Sequence, residues 1–244
     1  MNGTINVMRR ELSGYFATPV AYVFLIIFLV MTGIFSFYLG NFYERGFADL
    51  DSFFRFHPWL YLFLVPAISM RLWAEERRSG TIELLFTLPL TTYQAVLGKF
   101  LAAWFFIGLA LLLTLPMWIT VNYLGSPDNG VILAAYLGSW LMAGGFLAIG
   151  SCMSALTRNQ VVAFILSIVV CFLFLLSGLP MVMNLFTGWA PQIFLDGIAS
   201  LSFLKHFADI SKGVIDLRDL VYFGLVMGFW LLANVLILDM KKAD

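Results

Sequence analysis

Five stretches of the chain contain no charged residue and are long enough to cross a lipid bilayer as helices. A helix rises about 1.5 Å per residue and needs about 20 apolar residues to cross the hydrocarbon core. Of the 244 residues, 61% are hydrophobic and 11% are charged, whereas soluble domains carry about 25% charged residues. The sequence therefore predicts an all-α, multi-pass membrane protein. The five stretches are Val20–Leu39, Phe100–Val121, Val131–Leu156, Val161–Leu179 and Leu220–Leu238.

A sixth span is predicted around a shorter apolar run, Pro58–Met70, which lies between His57 and Arg71. This run crosses a bilayer only if its helix begins upstream near Leu50, with Arg55 and His57 at the outer interface. A re-entrant segment is the alternative, and it is disfavoured because an odd number of spans would separate the two termini. We therefore expect a single transmembrane domain over residues 1–244, with spans at residues 20–39, 50–71, 92–121, 131–156, 161–179 and 217–238.

The distribution of basic residues predicts which side of the membrane each segment faces. With six spans and both termini inside, the inner segments hold nine Lys and Arg residues and the outer segments hold five. Inner segments of membrane proteins carry the excess of Lys and Arg. Both termini are therefore expected in the cytoplasm. Over the whole chain the 14 basic and 14 acidic residues balance, so charge gives no indication of a nucleic-acid partner.

The first 18 residues are amphipathic. Apolar side chains recur at helical spacing, and Arg9, Arg10 and Glu11 fall largely on the remaining surface. This pattern predicts a helix that lies in the inner membrane interface before the first span, with an ordinary polar lead-in as the alternative. The apolar residues are Ile5, Met8, Leu12, Tyr15 and Phe16.

The inner segment Arg71–Lys99 is far longer than a link between two neighbouring spans requires. Ser79-Gly80 interrupts a charged helix end, and Thr81–Leu88 has the length of two helical turns. Pro89 ends that short helix because it disfavours helical geometry at the residue before it. Region 74–90 is therefore predicted to contain a charged helix end, a tight turn and the short helix Thr81–Leu88 on the cytoplasmic face.

The end of the same segment contains signals for the start of a long helix. Thr91 and Gln94 match a capping box, in which each side chain bonds the other residue's backbone N–H. Lys99 follows two turns later and is expected to extend its ammonium to the inner surface.

The outer segment, residues 180–216, is predicted to form short helices that cover the outer mouth. Gly213 suits the position after a helix C-terminus, and Asp216 suits the N-cap of the last span. Five apolar residues of this outer cap fall on roughly one helical face and should be covered by the fifth and sixth spans, by headgroups or by a partner. They are Phe194, Ile198, Leu201, Leu204 and Phe207.

The sequence lacks the residues that several kinds of function require. The chain has no phosphate-binding loop of the GxxxxGK[ST] type, so we expect no nucleotide hydrolysis by this chain. The apolar runs of the predicted spans hold no charged residue of the kind that marks proton or ion pathways, and Arg55 lies at the outer end of the second span. The two histidines, His57 and His206, are both predicted near the outer surface. No catalytic or metal site is therefore predicted.

Two segments resemble a known family. The run Glu76–Thr81 (ERRSGT), followed by Leu84, Pro89 and Gly98-Lys99, resembles the first cytoplasmic loop of ABC-2 type permeases, the membrane subunits of a class of ABC transporters. The run Gly213–Leu220 (GVIDLRDL), together with the short chain, resembles the branch linked to gliding motility and nitrous-oxide-reductase maturation. The resemblance covers essentially the whole chain.

The resemblance implies a coupling helix at Thr81–Leu88 that docks on a cytoplasmic ATPase, with the first helix flanking that ATPase. It further implies two ATPase subunits that bind ATP and Mg²⁺, a second permease (the same chain or a paralogue) and a bacterial inner membrane; this chain itself needs no cofactor. The residues implied in coupling are Glu75, Glu76, Arg77, Arg78, Gly80, Thr81, Glu83 and Leu84, with Arg9, Arg10 and Glu11 on the interfacial helix.

Three functions remain open at this point. The first is a permease subunit that couples ATP hydrolysis to movement of an amphiphilic substrate, since the spans offer only Ser, Thr, Asn and Gln for a polar path. The second is a module that delivers force from the ATPase to a periplasmic protein without transport. An intramembrane enzyme is the third, and the lack of acid–base residues in the spans disfavours it.

Overall fold

The computed structural model describes residues 2–83, 89–186 and 191–241. Within those residues the chain forms helices joined by turns and short loops, with no strand, which confirms the all-α fold class. We number the helices α1 (Asn2–Phe16), α2 (Pro19–Ile34, extended by a π-helical turn, Phe35–Leu39), α3 (Asp51–Arg55), α4 (His57–Ser69), α5 (Arg71–Ser79), α6 (Thr92–Leu112), α7 (Leu115–Leu124), α8 (Asn129–Leu156), α9 (Gln160–Leu176), α10 (Pro180–Phe186), α11 (Gln192–Ala199), α12 (Phe203–Ser211) and α13 (Leu217–Met240).

Four helical stretches in the described part of the chain are long and apolar enough to cross a membrane. They are Pro19–Leu39, Thr92–Leu124 (α6 continued by α7), Asn129–Leu156 and Leu217–Met240. Helix α9 is apolar but shorter, with 17 residues. These helices coincide with five of the six stretches predicted to span. The exact number of spans stays a prediction.

The predicted second span, residues 50–71, forms three helices instead of one. Helix α3 ends at Arg55, α4 begins at His57 with Pro58 in its first turn, and α5 begins after Met70. The ring of His57 is fully buried rather than placed at the outer interface, because the turn between α3 and α4 directs it into an aromatic cluster. That cluster consists of Phe28, Phe53, Phe54 and Tyr61.

Helix α8 is the centre of the bundle. It packs against α4, α5, α6, α9, α12 and α13, and most of its residues are buried. Small residues allow the neighbours to approach closely. A Cβ on Gly144 would lie 2.6 Å from the sulfur of Met227, and a Cβ on Gly150 would lie 2.7 Å from the Cβ of Ser69. Glycine at these positions therefore permits the close packing of α8 against α13 and α4.

Both ends of the described chain lie at the same end of the bundle. Lys241 Nζ donates to the carbonyls of Ala155 and Leu156, the last residues of α8, and Arg77 also donates to the Ala155 carbonyl. Helix α1 reaches this end through Glu11, which pairs with Lys99. We call this the terminal end, and we call the opposite end, with α3 and α12, the distal end.

Helix α12 at the distal end buries a different face from the one predicted. Ser202 caps α12 by accepting from the Lys205 N–H, so Leu201 lies before the helix and its side chain is 49% exposed. The periodicity assumed for the outer cap crosses this break between α11 and α12, and a face cannot continue through it. The buried face of α12 is formed by Phe203, His206, Phe207 and Ile210.

Helix α8 covers much of the buried face of α12. The fifth and sixth predicted spans contribute as well, since the ring of Phe203 stacks on Phe174 of α9 and on Phe223 of α13. A Cβ on Gly138 would lie 2.7 Å from the Cγ2 of Ile210, and one on Gly145 would lie 3.1 Å from the ring of Phe203. Leu204 and Ile198 are half-buried, Phe207 is buried, and the side chain of Phe194 is outside the described part. Among the four predicted cap residues whose side chains are described, Phe207 is therefore the one that is buried and anchors the distal end.

Candidate coupling surface

Helix α1 is packed on the first half of α6. Val7 is buried against Gly98, where a Cβ would approach the Val7 Cβ to 2.7 Å. About two helical turns later, the ring of Tyr15 stacks on Phe106 with the ring centroids 5.1 Å apart. The exposed positions of α1 include Arg9 and Arg10. The amphipathic start of the chain is thus a helix that contacts the bundle along one face, and Gly98 allows this contact.

Lys99 joins three elements at the terminal end. Its Nζ lies 3.2 Å from Oε1 of Glu11 on α1 and 2.8 Å from Oε1 of Glu76 on α5. The same ammonium lies 5.2 Å from the ring centroid of Trp73, an attractive cation–π geometry. Its side chain is 3% exposed, so the expectation that it extends to the membrane surface is wrong. Two carboxylates within reach explain why a buried ammonium is tolerated.

The pKa of Glu11 reflects this pairing. Burial raises the pKa of its carboxyl, but the ammonium of Lys99 and the guanidinium of Arg10 oppose burial and hold the pKa below its ordinary value. Arg10 donates to the same Oε1 at 2.8 Å. The carboxylate form of Glu11 is therefore the form that the folded structure stabilises.

The start of α5 is attached to α8 through Ser154. The backbone N–H groups of Trp73 and Ala74 donate to its Oγ at 3.1 and 3.0 Å, and this hydroxyl donates to the Met70 carbonyl at 2.8 Å. A helix start leaves N–H groups without intrahelical partners. The hydroxyl of Ser154 therefore bonds the backbone groups that the helix break at Met70 leaves without intrahelical partners. Sequence periodicity could not locate this break.

The end of α5 and the residues just after it contain most of the residues implied in coupling, and most of these are exposed. Gly80 adopts a left-handed conformation with φ +75°, which a residue without a Cβ adopts readily, and the chain turns there. The hydroxyls of Ser79 and Thr81 lie 2.9 Å apart across this turn. The exposed residues here are Glu75, Arg78, Gly80, Thr81 and Glu83, while Glu76 and Arg77 are half-buried.

Helical geometry resumes at Thr81–Glu83, and the Glu83 N–H lies 3.4 Å from the Gly80 carbonyl. The remainder of the predicted coupling helix, Leu84 to Leu88, lies outside the described residues. The described chain resumes at Pro89. The capping box that follows is confirmed, since Thr91 Oγ1 accepts from the Gln94 N–H and the Thr91 N–H donates to Gln94 Oε1.

The structure thus brings together two sets of residues that the sequence predicted separately. Glu11 of the interfacial helix and Glu76 of the coupling region share one ammonium, whereas Arg9, Arg78 and Glu83 remain exposed. Sequence reasoning missed the roles of Lys99, Trp73 and Ser154. The signal for Lys99 was present, because a single cation within an otherwise apolar helix needs a carboxylate partner.

Comparison with known families matches residues 20–219 to the family described as ABC-2 family transporter protein. The chain belongs to the ABC-2 transporter family. The matched range contains α5, Lys99 and the distal helices, and it excludes α1. No curated protein sequence gives a significant match.

ABC-2 family members are the membrane subunits of ABC transporters, and the ATPase is a separate subunit. Membership therefore implies a multi-pass membrane component with an ABC ATPase as partner. The apolar helices described above agree with that role.

Proposed function

We propose that this ABC-2 subunit couples ATP hydrolysis in a partner ATPase to movement of an amphiphilic substrate, and that region 74–90 is the docking element. One observation supports this proposal above the others. The exposed residues Arg78, Thr81 and Glu83 lie at the end of α5 and just after it. The buried side of α5 is bonded to α6 and α8, and through Lys99 it is linked to α1. An ordinary surface loop needs no such attachment, whereas a loop that receives force does.

The contacts of α5 define the route by which a displacement would travel. The pair between Glu76 and Lys99 connects α5 to α6, and Lys99 connects in turn to Glu11 on α1. Arg77 donates to the Ala155 carbonyl at 2.6 Å, and Ser154 bonds the α5 backbone, so α5 is also joined to the central helix α8. A push on the exposed end of α5 therefore acts on α1, α6 and α8 together.

The assembly we propose has two such membrane subunits and two ATPases, each of which binds ATP and Mg²⁺. The terminal end would face the cytoplasm of a bacterial cell, with the chain in the inner membrane. Support comes from the basic residues at this end, which include Arg9, Arg78 and Arg158, all exposed. Large exposed apolar side chains on α2 and α9 offer surfaces for lipid or for the second subunit.

We further propose that the chain belongs to the branch linked to gliding motility and nitrous-oxide-reductase maturation. The segment that carries this resemblance has a defined geometry. Gly213 has φ +89° after the end of α12, and Asp216 caps α13 by accepting from the Arg218 N–H at 3.0 Å. Both residues therefore have a structural reason to occupy these positions.

Force delivery to a periplasmic protein is a second candidate, and one cavity favours it. A cavity of about 650 Å³ opens at the distal end between α3, the start of α8 and α12. Its rim carries Asp49, Asp51, Asp128, Arg55 and Lys212. A mixed-charge rim over an apolar floor is suited to a protein partner.

The coupling proposal is tested by a charge reversal at Glu83. Glu83→Lys should reduce recovery of the ATPase with the purified permease and should lower its ATPase activity, while the amount of permease in the membrane is unchanged. Glu44→Lys is the matched control, since Glu44 is exposed in the loop after α2. Full recovery and activity in Glu83→Lys would contradict the assignment of region 74–90.

Orientation is tested independently by cysteine labelling. In a background without Cys152 and Cys171, which are both buried, a cysteine at Ser79 should react only with reagent supplied from the cytoplasm. A cysteine at Asp49 should react only from outside. The reverse pattern would overturn the proposed orientation and leave family membership untouched.

A further inference from the structure

A groove at the terminal end is built like a binding site for a lipid. It has a volume of about 500 Å³ and lies between α1, α2, α4 and α5, within the range of about 300–1,000 Å³ that is usual for small-molecule sites. Its walls are apolar side chains of α2 and α4, and Val23 and Ile27 on its edge are exposed to the surroundings of the bundle. The wall residues are Val23, Phe24, Ile27, Leu64, Ala67 and Ile68.

One end of the groove is strongly polar. Three cations and three carboxylates line it, namely Arg10, Arg71, Lys99, Glu11, Glu75 and Glu76. Lys99 is buried and paired, but the pair of Arg71 with Glu75 and the pair of Arg10 with Glu11 are partly exposed. Exposed ion pairs contribute little stability, so both guanidinium groups are able to exchange a carboxylate for a bound anion.

The same polar end contains a hydrogen-bond acceptor that is not satisfied. Oε2 of Glu76 is buried and has no hydrogen-bond donor among the described residues, although Oε1 of the same carboxylate pairs with Lys99. Leaving a buried carboxylate oxygen without a donor is unfavourable. A donor that enters the groove from its apolar side would supply the missing bond.

We infer that this groove binds a phospholipid whose headgroup carries a primary amine, as phosphatidylethanolamine does. The acyl chain lies between α2 and α4, the phosphate is held by Arg71 and Arg10, and the ammonium donates to Glu76. A choline headgroup lacks an N–H for this bond, and a glycerol headgroup lacks the positive charge that a carboxylate prefers. The inference requires neither the ATPase nor transport, so it stands or fails separately from the proposed function.

The experiment uses the full chain in nanodiscs that contain phosphatidylethanolamine, phosphatidylcholine and phosphatidylglycerol in equal amounts. One lipid at a time carries a photoactivatable group on its acyl chain, and the labelled peptides are identified by mass spectrometry. We expect the ethanolamine probe to label residues 19–39 and 57–69 several-fold more than the other two probes. Equal labelling by all three would overturn the inference.

Two variants separate the groove from the general lipid surface. Ala67→Phe fills the groove and should remove most of the labelling by the ethanolamine probe, whereas Leu225→Phe, on the exposed face of α13, should leave it unchanged. Undiminished labelling in Ala67→Phe would overturn the inference.

Arg71→Gln keeps the groove open and serves where Ala67→Phe does not fold. It should lower labelling by the ethanolamine probe because the phosphate loses one of its two guanidinium partners, while Arg158→Gln, an exposed arginine outside the groove, should leave that labelling unchanged. Undiminished labelling in Arg71→Gln would contradict the assignment of the phosphate to Arg71.

Discussion

Lys99 Nζ lies 2.8 Å from the carboxylate of Glu76, and this pair joins the start of α6 to α5 beneath the exposed coupling region. The same nitrogen lies 3.2 Å from Glu11, so α1 is included in the cluster. One ammonium is thus shared by two carboxylates, one from before the first predicted span and one from after the second. The terminal end depends on this cluster because neither carboxylate has another cation buried beside it in the described structure.

Replacing Lys99 by Met should destabilise the protein strongly. The substitution keeps the length of the side chain and leaves Glu11 and Glu76 close together without their shared cation. Breaking a buried pair costs about 3–5 kcal/mol, which should appear as a large decrease in the melting temperature in detergent. Lys212→Met is the control, since that side chain is 73% exposed, and equal melting temperatures for the two variants would contradict this role of Lys99.

Glu11 should make the stability of the protein depend on acid pH. Its pKa is below the ordinary value of 4.5 in the folded state, so its contribution is present above about pH 4.5 and is lost as the pH falls through the folded-state pKa. The difference in melting temperature between the wild type and Glu11→Gln should therefore be constant near neutral pH and shrink under acid conditions. A difference that stays the same from neutral to acid pH would contradict this role of Glu11.

Gly98→Ala should detach α1 from α6. The added Cβ would lie 2.7 Å from the Val7 side chain and 2.9 Å from the Thr4 carbonyl oxygen, so α1 has to move. Overpacking of this kind costs about 1–3 kcal/mol, and trypsin should cleave faster after Arg9 and Arg10. Gly224→Ala meets no atom within 4 Å and should be neutral or stabilising; unchanged cleavage in Gly98→Ala would show that α1 is held by other contacts.

Phe207 and Leu201 should differ sharply although the sequence placed them on one face. Phe207 is 4% exposed and Leu201 is 49% exposed. Truncating a buried Phe to Ala costs about 3–5 kcal/mol, whereas a change at an exposed position away from special features stays within about 0.5 kcal/mol. Thermal unfolding of Phe207→Ala and Leu201→Ala measures this contrast, and similar losses would favour the predicted face over the observed one.

Local signals in the sequence were sufficient for much of the fold. Charge-free runs located α2, α6, α8, α9 and α13, because a membrane helix depends mainly on its own length and hydrophobicity. The capping box at Thr91 and Gln94, the left-handed Gly213 and the N-cap at Asp216 were also predicted. Each of these features involves residues within a few positions of one another, so it can be recognised in a short window of sequence.

Longer-range features escaped the same reasoning. The break at Met70 is satisfied by Ser154, and the hydrogen bond from Trp73 to that serine joins residues 81 positions apart. The predicted buried face of α12 was wrong because one helical periodicity was continued from α11 into α12, through the N-cap at Ser202. No local pattern reveals either feature.

The sequence by itself determined that this protein is a bundle of membrane helices with an overlong, charged segment at residues 71–99, because hydrophobicity and helix caps act locally. Only the tertiary structure decided that Lys99 is buried between Glu11 and Glu76, that α8 is the centre of the bundle and that Phe207 anchors the distal end. These depend on which side chains meet after the helices pack. Burial changes the energy of an ion pair or an aromatic ring only once its partners are in place.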